Sequence, residues 1–152
     1  MRSFLTACVL FGLATSAQAL DVNGYRAKNG RAPLAVDSHL AGIAQFHARD
    51  LAVRNALDHR GFATERGPLG ASAEVVSYGC GDESCAILQW SRSGPHRAAM
   101  LRKDVTTYGL ATVVSSNGRR YWVMELGGGA PVSRAQRSGG KQYMESAASK
   151  KR

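Results

Sequence analysis

The sequence predicts an α+β domain in which helices pack on a small antiparallel sheet. Three observations lead to this prediction. An amphipathic helix is indicated over residues 37–56, a second helix over residues 83–93, and a β-hairpin over residues 108–126. The order of helix, loop, helix and then strands separates the two kinds of element along the chain, which is typical of α+β folds.

The first helix is predicted from the spacing of its apolar residues. Asp37 is a suitable N-cap, because its carboxylate can accept hydrogen bonds from the first free backbone amides. Apolar side chains then recur every three or four residues and form one stripe. This stripe consists of Leu40, Ile43, Ala44, His47 and Leu51. We interpret His47 as a hydrogen-bonded core residue, and His39 in the first turn as a solvent-facing residue.

The second helix follows a looped region, which the glycines and the proline of residues 61–70 indicate. In this helix we expect Cys85, Leu88 and Trp90 to face inward. Gly94-Pro95 interrupts the helical pattern, and a short helical turn is expected over residues 96–102.

The hairpin is predicted from two segments with the composition of strands, residues 108–114 and 121–126. Asn117-Gly118 lies between them. This dipeptide favours a type I′ turn, in which both central residues have positive φ.

The first 19 residues have the pattern of a secretory signal peptide that is cut after Ala19. Arg2 precedes an apolar run over residues 4–14, and Ala17-Gln18-Ala19 is a small-x-small cleavage site. The alternative is a membrane anchor, but the run is too short to cross ~30 Å of hydrocarbon. We therefore expect an exported protein, periplasmic or extracellular, with no transmembrane segment.

The charge is concentrated at the other end of the chain. The whole sequence has a net charge of +9, and residues 131–152 alone hold six Lys or Arg and one Glu. This composition predicts a domain over residues 20–130 and a basic, disordered tail over residues 131–152, able to contact anionic surfaces. The folded part shows no basic face interleaved with aromatics, so binding to nucleic acid is not predicted.

Only two cysteines, Cys80 and Cys85, remain after the signal peptide is removed. In an exported protein this pair indicates one short disulfide. The alternatives are two free thiols or half of a zinc site. A four-cysteine zinc site would need a second pair, which the sequence lacks.

Three residues have the chemistry and the setting of a functional site. His59 lies two residues before Gly61 and His96 directly follows Pro95, both at predicted helix ends, and Glu74 lies among Ala73, Val75 and Val76. A carboxylate in apolar surroundings needs a partner. Two histidines and a glutamate could form a metal site or an acid–base site. The zinc-peptidase motif, the lipase nucleophile elbow and a glycine-rich phosphate loop are all absent from the sequence.

Several short motifs follow one another in a specific order along the chain. They are Asn23-x-x-Arg26, His47-Ala48-x-Asp50, Asp58-His59-Arg60-Gly61, Ala73-Glu74, Trp90-x-x-Ser93-x-x-His96-Arg97 and Tyr121-Trp122-Val123. In this order they resemble the bacterial branch of the CAP superfamily, which comprises cysteine-rich secretory proteins, antigen 5 and plant pathogenesis-related proteins. Its domain is also called the SCP domain. The resemblance covers about residues 22–127.

The resemblance implies an α-β-α three-layer sandwich with a cleft lined by two histidines and two acidic residues. The histidines correspond to His59 and His96, and the first acid corresponds to Glu74. Ser93 stands where animal members have the second acid. The same resemblance suggests His59, His96 and Glu74 as tentative zinc ligands, and no other cofactor.

Two classes of function follow from the site, and a third, a structural or interaction role in the cell envelope, follows from the basic tail. The first is a secreted, non-enzymatic binding module for a lipid, a cell-envelope component or a host surface. The alternative is a zinc-assisted hydrolase that uses His59, Glu74 and His96 to activate water. A variant of the alternative would use Ser93 as nucleophile with His96 as base, although no third residue is evident to orient that base. We favour the binding module.

Overall fold

Four helices surround one four-stranded sheet in the computed structural model, which describes residues 19–128. The helices are α1 (Val22–Lys28), α2 (Ser38–Arg54), α3 (Glu83–Arg92) and α4 (Gly94–Met100). The strands are β1 (Ala35–Val36), β2 (Ala73–Tyr78), β3 (Thr107–Val114) and β4 (Arg120–Gly127), and a π-helical turn spans Phe62–Arg66. The predicted signal peptide, apart from Ala19, and the basic tail lie outside the described residues and stay predictions.

The sheet has the strand order β1-β3-β4-β2 and is mixed. The β3–β4 hairpin and the β2–β4 pair are antiparallel, but β1 pairs with β3 in parallel, so the prediction of a purely antiparallel sheet is wrong in this respect. The sequence analysis also missed β1 and β2. β1 has only two residues, and the apolar run of β2 is buried on both faces, which removes the period-2 signal of a half-exposed strand.

The two faces of the sheet are covered by different helices, which confirms the three-layer arrangement. On one face, Ala44, Ala48 and Leu51 of α2 pack against residues that include Val76 and Val123. On the other face, α3 and α4 contribute a second core. That core includes Ile87, Trp90, Met100, Val75, Met124 and Leu126. Since adjacent strand residues point to opposite faces, Glu74 and Glu125 point to the same face as Val76 and Val123.

Helix α2 forms as predicted, with small differences at its ends. The Asp37 carboxylate accepts hydrogen bonds from the amides of His39 and Leu40, and the helix ends at Arg54, followed by the C-cap Asn55 with a φ of 52°. His47 is confirmed as a hydrogen-bonded core residue, 1% exposed and 3.0 Å from the carbonyl oxygen of Asp58. His39 differs from expectation, because its Nε2 lies 2.9 Å from the Leu69 carbonyl oxygen rather than in solvent.

The inward face of α3 is not the one expected. Cys85 and Leu88 are exposed, whereas Ala86, Ile87 and Trp90 are buried at the spacing of one helical face. Cys85 lies on the exposed side of α3 and forms a disulfide with Cys80, which is buried in the core; the two Cα atoms are 5.4 Å apart. The expected disulfide is therefore confirmed. No helix in the described part of the chain is long and apolar enough to cross a membrane.

The turn of the β3–β4 hairpin also differs from the expected type I′. Gly118 has a φ of 81°, but Asn117 is not in the positive-φ region. The Gly118 amide donates to the Ser115 carbonyl oxygen, and the Ser115 amide donates to the Arg119 carbonyl oxygen. The loop is thus longer than two residues, and only its glycine adopts the left-handed conformation.

Helix α2 and strand β3 make their closest approach at Gly109. A Cβ atom at this position would lie 2.0 Å from the backbone nitrogen of Ala41 and 2.2 Å from the carbonyl carbon of Leu40. No side chain can move to relieve a clash with backbone atoms. Gly109 therefore sets the distance between α2 and the sheet.

We expect Gly109→Ala to destabilise the protein by about 3 kcal/mol or more, at or above the upper end for overpacked cores, because the helix must move away from the sheet. Gly81→Ala is the matched control, since its Cβ would meet nothing within 4 Å and should change stability by less than about 0.5 kcal/mol. Urea unfolding of both variants measures the difference. Equal stabilities would show that the α2–β3 distance is not a constraint.

Candidate functional site

The carboxylate of Glu74 lies at the centre of a cluster of charged side chains. Glu74 belongs to β2, and its side chain is 1% exposed. His59 Nδ1 lies 2.6 Å from Oε1, and Arg66 Nε donates to Oε2 over 2.6 Å. Arg66 Nη2 also donates to Oε1 over 3.1 Å. Both oxygens of the carboxylate are therefore engaged by protein groups.

The loop between α2 and β2 brings His59 and Arg66 to this carboxylate. Its first residues are tied to α2, because Arg54 Nη1 donates to the Asp58 carboxylate over 2.8 Å. Gly61 then turns the chain with a φ of 77°, and the following π-helical turn points Arg66 inward. Arg66 is only 3% exposed and donates to the Arg60 carbonyl oxygen over 2.8 Å. Hydrogen bonds therefore hold the loop at Asp58, near its start, and at Arg66, further along.

A second carboxyl group, Glu125, lies beside Glu74. The register of β2 and β4 places these two residues directly opposite each other, and Glu125 is 0% exposed. Its Oε1 lies 3.1 Å from Arg66 Nε, an ion-pair distance without the alignment of a hydrogen bond. When Glu125 is protonated, its carboxyl O–H can donate a hydrogen bond to the Glu74 carboxylate. The ionised form of Glu125 has no proton with which to make this bond.

The Arg66 guanidinium lies between the carboxyl groups of Glu74 and Glu125. One positive charge cannot neutralise two carboxylates, so the pKa values of the two glutamates move apart. Burial, the hydrogen bond to Glu74 and the negative charge of Glu74 raise the pKa of Glu125 well above its usual range. Burial also acts to raise the pKa of Glu74, but hydrogen bonds from His59, Glu125 and Arg66 outweigh it and lower that pKa. At neutral pH Glu74 is therefore ionised and Glu125 is protonated.

The histidines around the cluster differ in charge preference. The hydrogen bond to Glu74 raises the pKa of His59, whose side chain is 50% exposed. Burial and the neighbouring His59 lower the pKa of His96, and the two ring centroids lie 6.4 Å apart. His47, with Nε2 3.7 Å from Glu74 Oε2, has its pKa lowered chiefly by burial. One exposed imidazole thus favours the cation and its neighbour favours the neutral form.

Of the residues singled out in the sequence, His59 contacts Glu74, and the ring of His96 lies 6.4 Å from that of His59 without a contact to Glu74 among the described residues. Ser93 lies at the junction of α3 and α4, where its side chain makes no capping hydrogen bond. The sequence analysis did not single out Glu125. Like Glu74, Glu125 is a carboxylate between apolar residues of a strand, which could have identified it as a candidate. Its pairing with Glu74 could not be predicted, because it depends on the β2–β4 register.

Zinc does not fit this arrangement. Within residues 19–128 no set of three His, Cys, Asp or Glu side chains is placed to hold a metal ion. A cation bound by Glu74 would also have to displace the Arg66 guanidinium, which already neutralises the carboxylate. The structure instead favours Glu74 as the group that orients His59.

A cavity of about 260 Å³ adjoins the cluster between α2 and the loop. The buried side chains of His47 and Arg66 form part of its wall, together with Asp50, Arg60 and Glu65. Charges of both signs line this space. It is therefore suited to a polar group with several hydrogen-bonding atoms rather than to a hydrocarbon chain.

We expect Glu125→Gln to stabilise the protein increasingly as the pH rises from 5 to 9. A raised pKa in the folded state means that the folded chain binds more protons than the unfolded chain above about pH 4.3, so this group makes stability fall with rising pH. Glutamine removes that titration. The gain should approach ~1.4 kcal/mol per pH unit at most, measured by urea unfolding at several pH values.

Glu145→Gln is the control for this experiment, because it makes the same substitution in the basic tail, which the sequence predicts to be disordered. Its stability should follow the pH dependence of the unmodified chain. If Glu125→Gln also follows that dependence, Glu125 is ionised in the folded protein and the shared-proton interpretation is wrong.

We expect calorimetric titration of the exported chain with zinc to show no saturable binding, because the Arg66 guanidinium is already paired with the Glu74 carboxylate. The matched variant is His59→Ala, which removes one of the three tentative ligands. Saturable binding by the unmodified chain that His59→Ala abolishes would establish the zinc site.

Comparisons with known proteins agree with this fold. The family model described as "CAP: Cysteine-rich secretory protein family" matches residues 21–126. No curated protein sequence matches. An outer surface protein from Borrelia burgdorferi is similar in structure, with a TM-score of 0.58, 19% identity, and coverage of 72% of this chain and 87% of that one.

Two larger structures are also similar. An extracellular protein containing an SCP domain, from Bacillus anthracis, has a TM-score of 0.51 and 21% identity, with 68% of this chain and 37% of that one covered. A cysteine-rich secretory protein from Staphylococcus aureus has a TM-score of 0.51 and 18% identity, with 70% and 35% covered. The chain thus spans little more than a third of these two proteins. At such identities the likeness shows the fold alone, whereas the family model covers most of the chain. The chain belongs to the CAP family of cysteine-rich secretory proteins.

Proposed function

We propose that the protein is a secreted, non-enzymatic binding module whose ligand is a lipid or another component of a cell envelope or host surface. The polar group of that ligand contacts His59 and His96 at the mouth of the cleft, with Ser93 at its rim. Glu74 does not contact the ligand but holds His59 in place. The placement outside the cell rests on the signal-peptide pattern of residues 1–19 and on the family.

The observation that supports binding rather than catalysis is the engagement of Glu74. Its two oxygens accept from Arg66 and His59, so it is not free to act as a base toward water. In the described part of the chain no hydroxyl or thiol is hydrogen-bonded to His59 or His96, as a nucleophile would be to its base. What remains is His59, oriented by Glu74, with the ring of His96 6.4 Å away and a polar cavity next to the cluster.

His59 is held in one orientation before any ligand binds, which favours binding. His59 is fixed by a charge-assisted hydrogen bond, and the loop that carries it is tied to α2. A ligand that binds here therefore loses little free energy to ordering of the protein. A phosphate, carboxylate or sugar hydroxyl can accept a hydrogen bond from His59 or His96.

We expect vesicles of phosphatidylglycerol or soluble peptidoglycan fragments to shift the imidazole NMR signals of His59 and His96. His59→Gln and His96→Gln should each weaken binding by about tenfold, the equivalent of ~1.4 kcal/mol, since each removes an oriented hydrogen bond. His39→Gln is the matched control, because glutamine can keep the contact with the Leu69 carbonyl oxygen.

Two outcomes would contradict the proposal. In the first, both probes bind but His59→Gln and His39→Gln weaken binding equally, so the cleft is not the site. In the second, the imidazole signals stay unchanged with every probe at saturating concentration, so neither class of envelope ligand reaches the cleft.

A further inference from the structure

A second cavity lies away from the His59–Glu74 cluster, where the end of α1 meets the segment before β3. Its volume is about 340 Å³. Three cationic side chains line it: Arg26, Arg31 and Lys103. The rest of its wall consists of uncharged residues, namely Gly30, Ala32, Pro33, Val105 and Thr106.

Arg26 is the most deeply buried of the three cations, with 2% exposure. Its Nε donates to the Ala32 carbonyl oxygen, and its Nη1 donates to the carbonyl oxygens of Met100 and Arg102. These three bonds use the Nε–H and both hydrogens of Nη1, out of five N–H groups. Within residues 19–128 the Nη2 hydrogens have no hydrogen-bond partner.

Arg31 is held in a similar way beside it. Its Nε donates over 2.9 Å to the Leu101 carbonyl oxygen, so both guanidinium groups are fixed by the carbonyl-rich end of α4. This fixes their positions without neutralising their charge. Burial and the neighbouring charge of Arg31 together lower the pKa of Arg26, and no carboxylate contributes to that shift.

A buried guanidinium is normally paired with a carboxylate, as Arg66 is. The cavity beside the His59–Glu74 cluster follows this rule, because Asp50 and Glu65 line it together with its arginines. The cavity at Arg26 has three cations and no acidic residue in its wall. The wall of this cavity therefore carries no opposite charge among the described residues.

We propose that this cavity is an anion-binding site that takes a phosphate group, either as free inorganic phosphate or as the phosphate of a lipid headgroup. A planar guanidinium matches the spacing of phosphate oxygens, and a lysine ammonium adds a mobile point charge. Inorganic phosphate carries more than one negative charge at neutral pH and so balances three cations better than a single carboxylate does. This site shares no residue with the cleft of the proposed function, and neither depends on the other.

The test compares two charge reversals in the exported chain, Lys103→Glu and Lys28→Glu. Both residues are exposed and both changes alter the net charge equally, but only Lys103 lines the cavity. Thermal unfolding is followed while inorganic phosphate is raised at constant ionic strength. We expect phosphate to raise the Tm saturably in the unmodified chain and in Lys28→Glu, with binding at least about tenfold weaker in Lys103→Glu.

Sedimentation with phosphatidylglycerol vesicles then distinguishes the two sources of phosphate. If Lys103→Glu weakens sedimentation more than Lys28→Glu does, and phosphate competes, the ligand is a lipid headgroup. If only the Tm effect depends on Lys103, the ligand is the free anion. If both variants respond alike to phosphate and to vesicles, attraction to the basic chain is non-specific and the proposal is wrong.

Discussion

The fold around the cleft depends on one guanidinium placed between two buried carboxyl groups. Arg66 neutralises Glu74, and a proton neutralises Glu125, so that a site with two acids at its centre carries no uncompensated negative charge. Removing Arg66 would leave an unpaired buried charge, which costs several kcal/mol. Three elements meet in this interaction, namely the π-helical turn, β2 and β4. The orientation of His59 follows from it, because that histidine binds the same carboxylate.

The two buried arginines of residues 19–128 are compensated in different ways. Arg66 is paired with carboxylates, whereas Arg26 is surrounded by the carbonyl oxygens of a helix end and keeps its full charge. In the first arrangement the Glu74 carboxylate neutralises the guanidinium and also orients the imidazole of His59. The second leaves a positive charge directed at a cavity. A protein with a net charge of +9 therefore has one folded region where the positive charge is balanced and another where it is available to a ligand.

Much of the fold could be predicted from local sequence patterns, and the errors have identifiable causes. α2, α3 and the β3–β4 hairpin follow periodic apolar spacing or turn residues. β2 was missed because burial on both faces leaves no alternation. The inner face of α3 was misassigned because Cys85 was taken as a core residue, whereas only its disulfide partner Cys80 is buried. His59, Glu74 and His96 could be named from motifs. Their connection through Arg66 and Glu125 could not, because it depends on strand register and on an irregular loop.

The row of residues that crosses the sheet at the site has a consequence for the order of folding. Gly109, Glu125 and Glu74 lie side by side on β3, β4 and β2, and α2 rests on the first of them. The β3–β4 hairpin is local in sequence and can form early, whereas α2 must return from far along the chain to dock on Gly109. Until α2 docks, water can reach both carboxyl groups, so the burial that raises the pKa of Glu125 requires the docked helix.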